Sequence, residues 1–190
     1  SSAGHEVVFG VRDPNSDRVT DLLKAIEQPA RAAPLAEACA DREIVVVAVP
    51  SSAVAATIEA CGDLAGKVLM DATNSVERIN GAKTASQTSI AEEIAAMAPA
   101  ARVVKAFNAI GANHYLDPSF GDVAADIFIC GDDDDAKATV STLATEIGFE
   151  VVDAGPLGNA RLVEHLAVLW IYLAHHGGYG REIAFKLLQK

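Results

Sequence analysis

Aromatic residues make up only 5% of this 190-residue chain against 51% hydrophobic residues overall, so the core must be built from Ala, Val, Leu and Ile. That is the usual material of a parallel sheet covered by helices on both faces. Cysteine is equally sparse. Cys39, Cys61 and Cys130 form no Cys-x-x-Cys pair and no cluster with histidine, and they read as buried thiols in a reducing, cytoplasmic compartment. No signal peptide is visible, and no apolar run reaches the ~20 residues that a membrane span needs. The nearest, Ala160 to Ala174, carries Arg161, Glu164 and His165 and reads as a buried helix. Positive charge is scarce too. With 15 Lys and Arg against 26 Asp and Glu, the formal net charge of -11 argues against nucleic acid or anionic lipid as a partner. An anionic small ligand stays open, because phosphates are held by local backbone amides and single arginines.

What is present is an alternation of strands and helices. Glu6 to Gly10 reads as a short strand after a Gly-capped helix tail at Ser1 to His5. Val19, Leu22, Leu23 and Ile26 give helical spacing over Pro14 to Glu27, with Pro14 suited to a first turn. A Pro- and Ala-rich connection leads to a short helix at Leu35 to Ala40. Ile44 to Val49 is an uninterrupted apolar run bounded by Pro50-Ser51-Ser52, the pattern of a central parallel strand, and Ser51 or Ser52 can cap the helix that follows. Further strands are expected at Lys67 to Ala72, Arg102 to Phe107, Ala125 to Gly131 and Phe149 to Asp153. A polar loop is expected over Val76 to Thr88, and helices over Ser89 to Met97, Asp133 to Ile147 and Asn159 to Leu188. The last helix, broken at Gly177-Gly178, is apolar all round and so belongs in a core or against another subunit. The pattern is a doubly wound, mostly parallel α/β sheet with a C-terminal helical segment.

In such sheets ligands sit at the carboxyl ends of the strands. Those ends are Gly10-Val11-Arg12, Val49-Pro50-Ser51, Thr73-Asn74-Ser75 and Phe107-Asn108, which apart from Arg12 are short, uncharged and polar. They suit a flat cofactor better than acid–base hydrolysis. By position alone Arg12 is equally a 2′-phosphate ligand for NADP or a surface residue paired with Asp13 or Asp17. The run Asp132 to Asp135 is explained without a metal, by Asp132 as N-cap and acids facing the helix macrodipole. No histidine pair has metal-ligand spacing. His114 lies near the expected crevice, and His165, His175 and His176 lie on the last helix.

Three motifs together resemble the family of NADPH:coenzyme F420 (deazaflavin) oxidoreductases: Val104-Lys105-Ala106-Phe107-Asn108, Ile129-Cys130-Gly131-Asp132-Asp133, and Asp153-Ala154-Gly155-Pro156-Leu157 continued by Asn159, Arg161, Leu162 and Glu164. The resemblance runs nearly the whole length. It implies a Rossmann-like dinucleotide-binding domain over residues 1–153 and a helical part over 154–190, packed on that domain or on a second subunit of a homo-oligomer. It also implies hydride exchange between NADP(H) and a deazaflavin or flavin. Carried over, it tips Arg12, with Gly10 and Val11, to the 2′-phosphate. Val49, Pro50 and Ser51 match the turn under the nicotinamide half, near Thr73 and Asn74. Ala106, Phe107 and Asn108 meet the nicotinamide and the acceptor, with Asn108 at the reacting end. Ala154, Gly155, Pro156 and Leu157 wall the acceptor pocket. Deazaflavin-specific members carry an Ala-Leu-His-Thr-Ile-Pro-like stretch where this chain has Lys105-Ala106-Phe107-Asn108-Ala109-Ile110-Gly111. The form found here is similar to the cytosolic domain of six-transmembrane ferric reductases, which leaves the acceptor open.

Two other readings stay in view. One is NADP-dependent reduction of a small imine or hydroxy acid, for which Lys186 is a poor candidate donor; the other is a non-catalytic dinucleotide-binding module. The resemblance also aligns Gly4 to Val8 with the end of the first helix and the second strand of the Rossmann pattern. A central strand between the strands at Val7 and Val46, with its G-x-G-x-x-G phosphate turn, is therefore expected in roughly 20–25 upstream residues.

Overall fold

A computed structural model of the chain describes residues 4–26, 29–79, 82–85 and 88–190, with 76–79 and 82–85 described as backbone. In chain order the elements are β1 (Val7–Gly10), α1 (Asp17–Ala25), β2 (Ala30–Ala33), α2 (Leu35–Ala40), β3 (Ile44–Val47), α3 (Val54–Ala60), β4 (Val68–Asp71), β5 (Val76–Ile79), β6 (Ala82–Ala85), α4 (Ile90–Met97), β7 (Arg102–Lys105), β8 (Ser119–Phe120), β9 (Val123–Ala124), β10 (Asp126–Gly131), α5 (Asp134–Ile147), β11 (Glu150–Asp153) and α6 (Ala160–His175). The main sheet has the order β11-β10-β7-β4-β3. Strands β3, β4 and β7 are parallel; β10 runs antiparallel to β7, and β11 parallel to β10.

Successive side chains of one strand enter opposite cores. Leu69 and Val103 pack with Val47, Ile94 and Val163 on one face, while Val68, Met70 and Val104 pack with Val140, Ala144 and Phe149 on the other. Both faces are thus covered by helices, which is the doubly wound α/β arrangement expected. The strand at Ile44–Val47, expected to be central, instead lies at the edge of this sheet. Val45 and Val47 are buried, but Val46 is 52% exposed. Strands β1 and β2 form a separate parallel pair.

Other departures from the sequence reading have local causes. The expected helix tail at residues 1–3 lies outside the described residues. Helix α1 starts at Asp17 rather than Pro14, because Asn15 N donates to Asp13 Oδ1 (3.0 Å) and Ser16 Oγ to Asp13 O (3.0 Å), a turn that delays the helix. The Ala-rich connection contains β2. Alanine has little strand preference, but pairing from Val7↔Ala30 to Gly10↔Ala33 supplies the ladder. Gly10 permits the approach of α2, since a Cβ there would stand 3.0 Å from Leu35 Cδ2. Ser51 and Ser52 open a 3-10 turn, Ser51–Ala53, and neither side chain caps a helix. Within the expected polar loop the backbone forms the antiparallel hairpin β5–β6, with β6 against α6.

The largest correction is at the C-terminus. Helix α6 stops at His175, and the chain beyond, expected as helix to Leu188 with a break at Gly177-Gly178, is irregular. Side chains elsewhere claim that backbone. Trp170 Nε1 donates to Ile183 O (2.9 Å), and Leu187 N donates to the Asp126 carboxylate (2.6 Å). The helical part expected over 154–190 is therefore α-helix only from Ala160 to His175. Nor is α6 buried all round. Val163, Ala167, Trp170 and Ala174 are buried, whereas Leu162, Leu169 and Tyr172 are exposed. No described helix is long and apolar enough to cross a membrane.

Candidate functional site

The carboxyl ends of β4 and β7 end in charge rather than in apolar residues. Asp71 and Lys105 are register partners, and both are fully buried. A buried ion needs a partner and saturated hydrogen bonds, and both are present. Lys105 Nζ donates to Asp71 Oδ2 (2.8 Å), to Glu164 Oε1 (2.8 Å) and to Thr73 O, so all three ammonium protons are used. Asp71 Oδ1 accepts from Thr73 N (2.8 Å) and Thr73 Oγ1 (2.7 Å), which turns the chain at the end of β4. Glu164, from α6, also accepts from Ile90 N (2.9 Å) and Ser75 N (3.3 Å). Burial pushes its carboxyl above the usual carboxylate range, against the pull of Lys105 and of these two N–H groups.

Beyond Lys105 the chain bends sharply. Phe107 has φ +60°, the left-handed conformation that a bulky residue adopts only under constraint. The constraint is visible. Its ring meets Tyr115 and Phe149 edge-on at 5.7 and 5.9 Å, and Tyr115 Oη donates to Phe107 O (2.8 Å). The bend delivers Asn108 to Asn74. Asn74 Nδ2 donates to Asn108 O (2.9 Å), while Asn108 Nδ2 donates to Asn74 Oδ1 (2.9 Å) and Val163 O (3.2 Å). Asn108 Oδ1 is buried and has no hydrogen-bond partner among the described residues.

The structure thus brings Thr73, Asn74, Ala106, Phe107 and Asn108 together: Thr73 N and Ala106 N donate to Asp71, Asn74 pairs with Asn108, and Phe107 forms the bend before it. Ala154, Gly155, Pro156 and Leu157 form a laced turn where β10 and β11 end. Ala154 N donates to Ile129 O (2.7 Å), Gly131 N to Gly155 O (3.1 Å) and Leu157 N to Asp132 Oδ1 (2.8 Å). Asp132 is therefore not the N-cap of α5 as expected; Asp133 is, accepting from Ala136 N at 2.7 Å. Leu157 enters the same core as Val163. Val49 is half-buried against that core, with Pro50 and Ser51 exposed at the start of the 3-10 turn.

Gly10, Val11 and Arg12 lie apart, at the carboxyl end of β1 in the two-stranded sheet, and share no hydrogen bond with the Asn74–Asn108 pair. Arg12 is exposed and, among the described residues, pairs with neither Asp13 nor Asp17. His114 is buried, with Nε2 3.0 Å from Arg181 O, and serves the packing of the C-terminal segment. Burial pushes the Cys130 thiol up to about 12, and burial with the neighbouring Cys39 does the same for Cys61. Neither is a thiolate nucleophile at neutral pH. A cavity of about 620 Å³ between α3 and α4, lined by Ile58, Leu64 and Met97, opens where the chain enters β4 and β7, opposite the edge that carries Asn108.

Asp71, Lys105 and Glu164 were not singled out by the sequence reading as site residues. Their signal was there. A lone charge closes each of two apolar strands, and one carboxylate interrupts an apolar helix, and groups of this kind are almost never buried unless paired.

Residues 1–75 match the family described as NADP oxidoreductase, coenzyme F420-dependent. The chain is 32% identical over 185 residues to the F420-dependent NADP reductase of Methanothermobacter marburgensis, covering 90% of this chain and 82% of that protein. It is 36% identical over 162 residues to the rat metalloreductase STEAP3, covering 85% of this chain but only 31% of that protein. A crystal structure from Arthrobacter sp. FB24, provisionally assigned as an F420-dependent NADP reductase, superposes with a TM-score of 0.83 at 31% identity, over 99% of this chain and 90% of that one. A reductive aminase from Aspergillus terreus in complex with NADPH shares the fold, with a TM-score of 0.65 at 22% identity over 93% of this chain and 56% of its own.

Proposed function

The chain belongs to the coenzyme F420-dependent NADP oxidoreductases, and from that membership we propose that it transfers a hydride between NADP(H) and a deazaflavin or flavin acceptor. When bound, NADP(H) supplies the hydride donor or acceptor at its nicotinamide ring. The observation that carries the reading is Asn108. Its amide nitrogen is doubly engaged and its buried oxygen has no donor among the described residues. An unmet buried acceptor costs about 1–3 kcal/mol, and the N–H groups of a nicotinamide carboxamide are its chemical complement. At the other end Arg12 offers an exposed guanidinium with no competing carboxylate among the described residues, suited to bidentate contact with a 2′-phosphate.

The charged groups nearest Asn108 support hydride transfer over acid–base chemistry. Lys105, Asp71 and Glu164 are closed on one another and on backbone, so none is free to exchange a proton with a substrate. Hydride transfer asks for no such group at the reacting carbons; it asks for two rings held about 3–3.5 Å apart with water excluded. Val49, Pro50 and Ser51 would support the nicotinamide half, and Ala154, Gly155, Pro156 and Leu157 the acceptor. Imine reduction is less well served. Lys186 is held by Asp126 and Glu150 (2.7 Å each), whose carboxylates outweigh burial and keep its ammonium above the ordinary lysine value. It is a cation fixed at the start of β10. The test is NADPH oxidation with F420, FMN and FAD offered in turn. Turnover with at least one is expected, and bound NADPH left unoxidised by all three would overturn the reading.

A further inference from the structure

We propose that Lys105 is a positioning residue for the hydride step: clamped between Asp71 and Glu164, it sets the 73–75 turn and, through Asn74, the amide of Asn108. This rests on the placement of Asn108 at the nicotinamide. Four chain segments meet in this cluster. They are the end of β4 through Asp71 and Thr73, the start of α4 through Ile90, helix α6 through Glu164, and β7 through Lys105 itself.

The cluster does more than bury charge. Three of the other four hydrogen bonds that these carboxylates accept come from the loop that follows β4, Thr73 N and Oγ1 on Asp71 and Ser75 N on Glu164; the fourth comes from Ile90 N. Asn74 lies between those two anchored residues, and its side chain grips both the amide and the carbonyl of Asn108. Val163, the residue before Glu164, supplies the second acceptor for Asn108 Nδ2. The same helix that brings the carboxylate to Lys105 therefore also holds Asn108. Apolar side chains of similar volume could fill this space at no loss of stability, but they could not fix the orientation of the 73–75 backbone.

The discriminating variant is the double replacement Lys105→Met with Glu164→Gln, which removes one positive and one negative charge together. Asp71 still loses its buried cation in this variant, so its melting temperature should fall. In the folded variant a positioning role predicts an NADPH Kd within about threefold, because affinity is set mainly at Arg12, yet hydride transfer slower by about tenfold or more. The fluorescence lifetime of bound NADPH should shorten towards that of the free cofactor, reporting a less restrained nicotinamide. Wild-type transfer rate and lifetime in a double variant that folds would overturn the proposal. If the double variant does not fold, Glu164→Gln alone serves. Its amide oxygen still accepts from Lys105 and Ile90, but its NH2 cannot accept from Ser75 N, and the same shifts should follow at about threefold. Unchanged rate and lifetime there would overturn the proposal equally. The lifetime needs no acceptor, so failure of every flavin in the wild type would reject the proposed reaction and leave this comparison standing.

Discussion

Asp71 and Lys105 face each other at the last shared register position of β4 and β7, and Lys105 Nζ lies 2.8 Å from Asp71 Oδ2 with neither side chain exposed. With Glu164 at the same distance from the ammonium, two carboxylates share one cation in the interior. Removing that cation alone leaves both carboxylates buried without compensation. Lys105→Met is therefore expected to lower stability by about 3–5 kcal/mol, read from urea unfolding. A loss below about 1 kcal/mol would show that the carboxylates take up protons or water at little cost.

Arg12 gives the second prediction. Its guanidinium is exposed and, among the described residues, pairs with no carboxylate, so replacing it should not disturb the fold. Under the proposed function Arg12→Ala removes a charge-assisted partner of the 2′-phosphate, a loss of about 1.5–3 kcal/mol. NADPH affinity should fall about ten- to hundredfold while NADH affinity hardly changes. Titration with both cofactors decides the matter, and equal losses would assign Arg12 to the fold.

How far the sequence speaks differs from element to element. Helix α4 was legible because Ser89 and Glu92 carry its N-terminus on their own, with both halves of the capping box formed. The expected bounds of Leu35–Ala40 match α2. Strand β2 was not legible, because Ala30–Ala33 has no strand preference and exists through its pairing with β1. Asp132 and Asp133 are equally able to cap α5; the choice falls to Asp133 because Leu157 N, 25 residues away, takes Asp132. Residues 181–187 have helical periodicity but are claimed by Trp170, His114 and Asp126, partners no local pattern shows. At the site, Thr73, Asn74 and Asn108 could be read as polar strand ends. Lys105 and Glu164 needed the register of the sheet before their meeting could be seen.

Acid should loosen the turn at Gly155. The Lys137 ammonium and the Gly155 N–H hold the Asp153 carboxyl below its usual range, and burial only partly opposes them. A carboxylate with a depressed folded value adds stability above its unfolded value of about 3.9 and loses it as pH falls through the folded one. Wild type should therefore melt above Asp153→Asn at neutral pH, with the margin constant down to about pH 5 and closing below about pH 4. The pair is half-exposed, so the margin should be small. A margin that persists at low pH would show that Asp153 acts through shape rather than charge.

Asn108 is the residue on which the proposed reaction depends most directly. Its Nδ2 is committed to Asn74 and Val163, and its Oδ1 is buried without a donor among the described residues. Asn108→Ala removes all three; Val163 O, inside α6, keeps its helical N–H, and Asn74 Oδ1 loses the donor at 2.9 Å. The protein should still fold, because Tyr115 continues to pin Phe107 O and the ion cluster beneath is untouched. An interaction made at the reacting end lowers kcat, whereas one made along the cofactor's length raises KM. Asn108→Ala should therefore reduce turnover by about tenfold or more with NADPH affinity changed by no more than about threefold. Asn108→Asp sharpens the result, since a carboxylate keeps the shape but cannot donate to Val163 O or Asn74 Oδ1. It should fall at least as far as the alanine variant. Steady-state kinetics with the best acceptor, alongside direct NADPH titration, measure both quantities. Turnover unchanged in either variant would remove Asn108 from the reacting end.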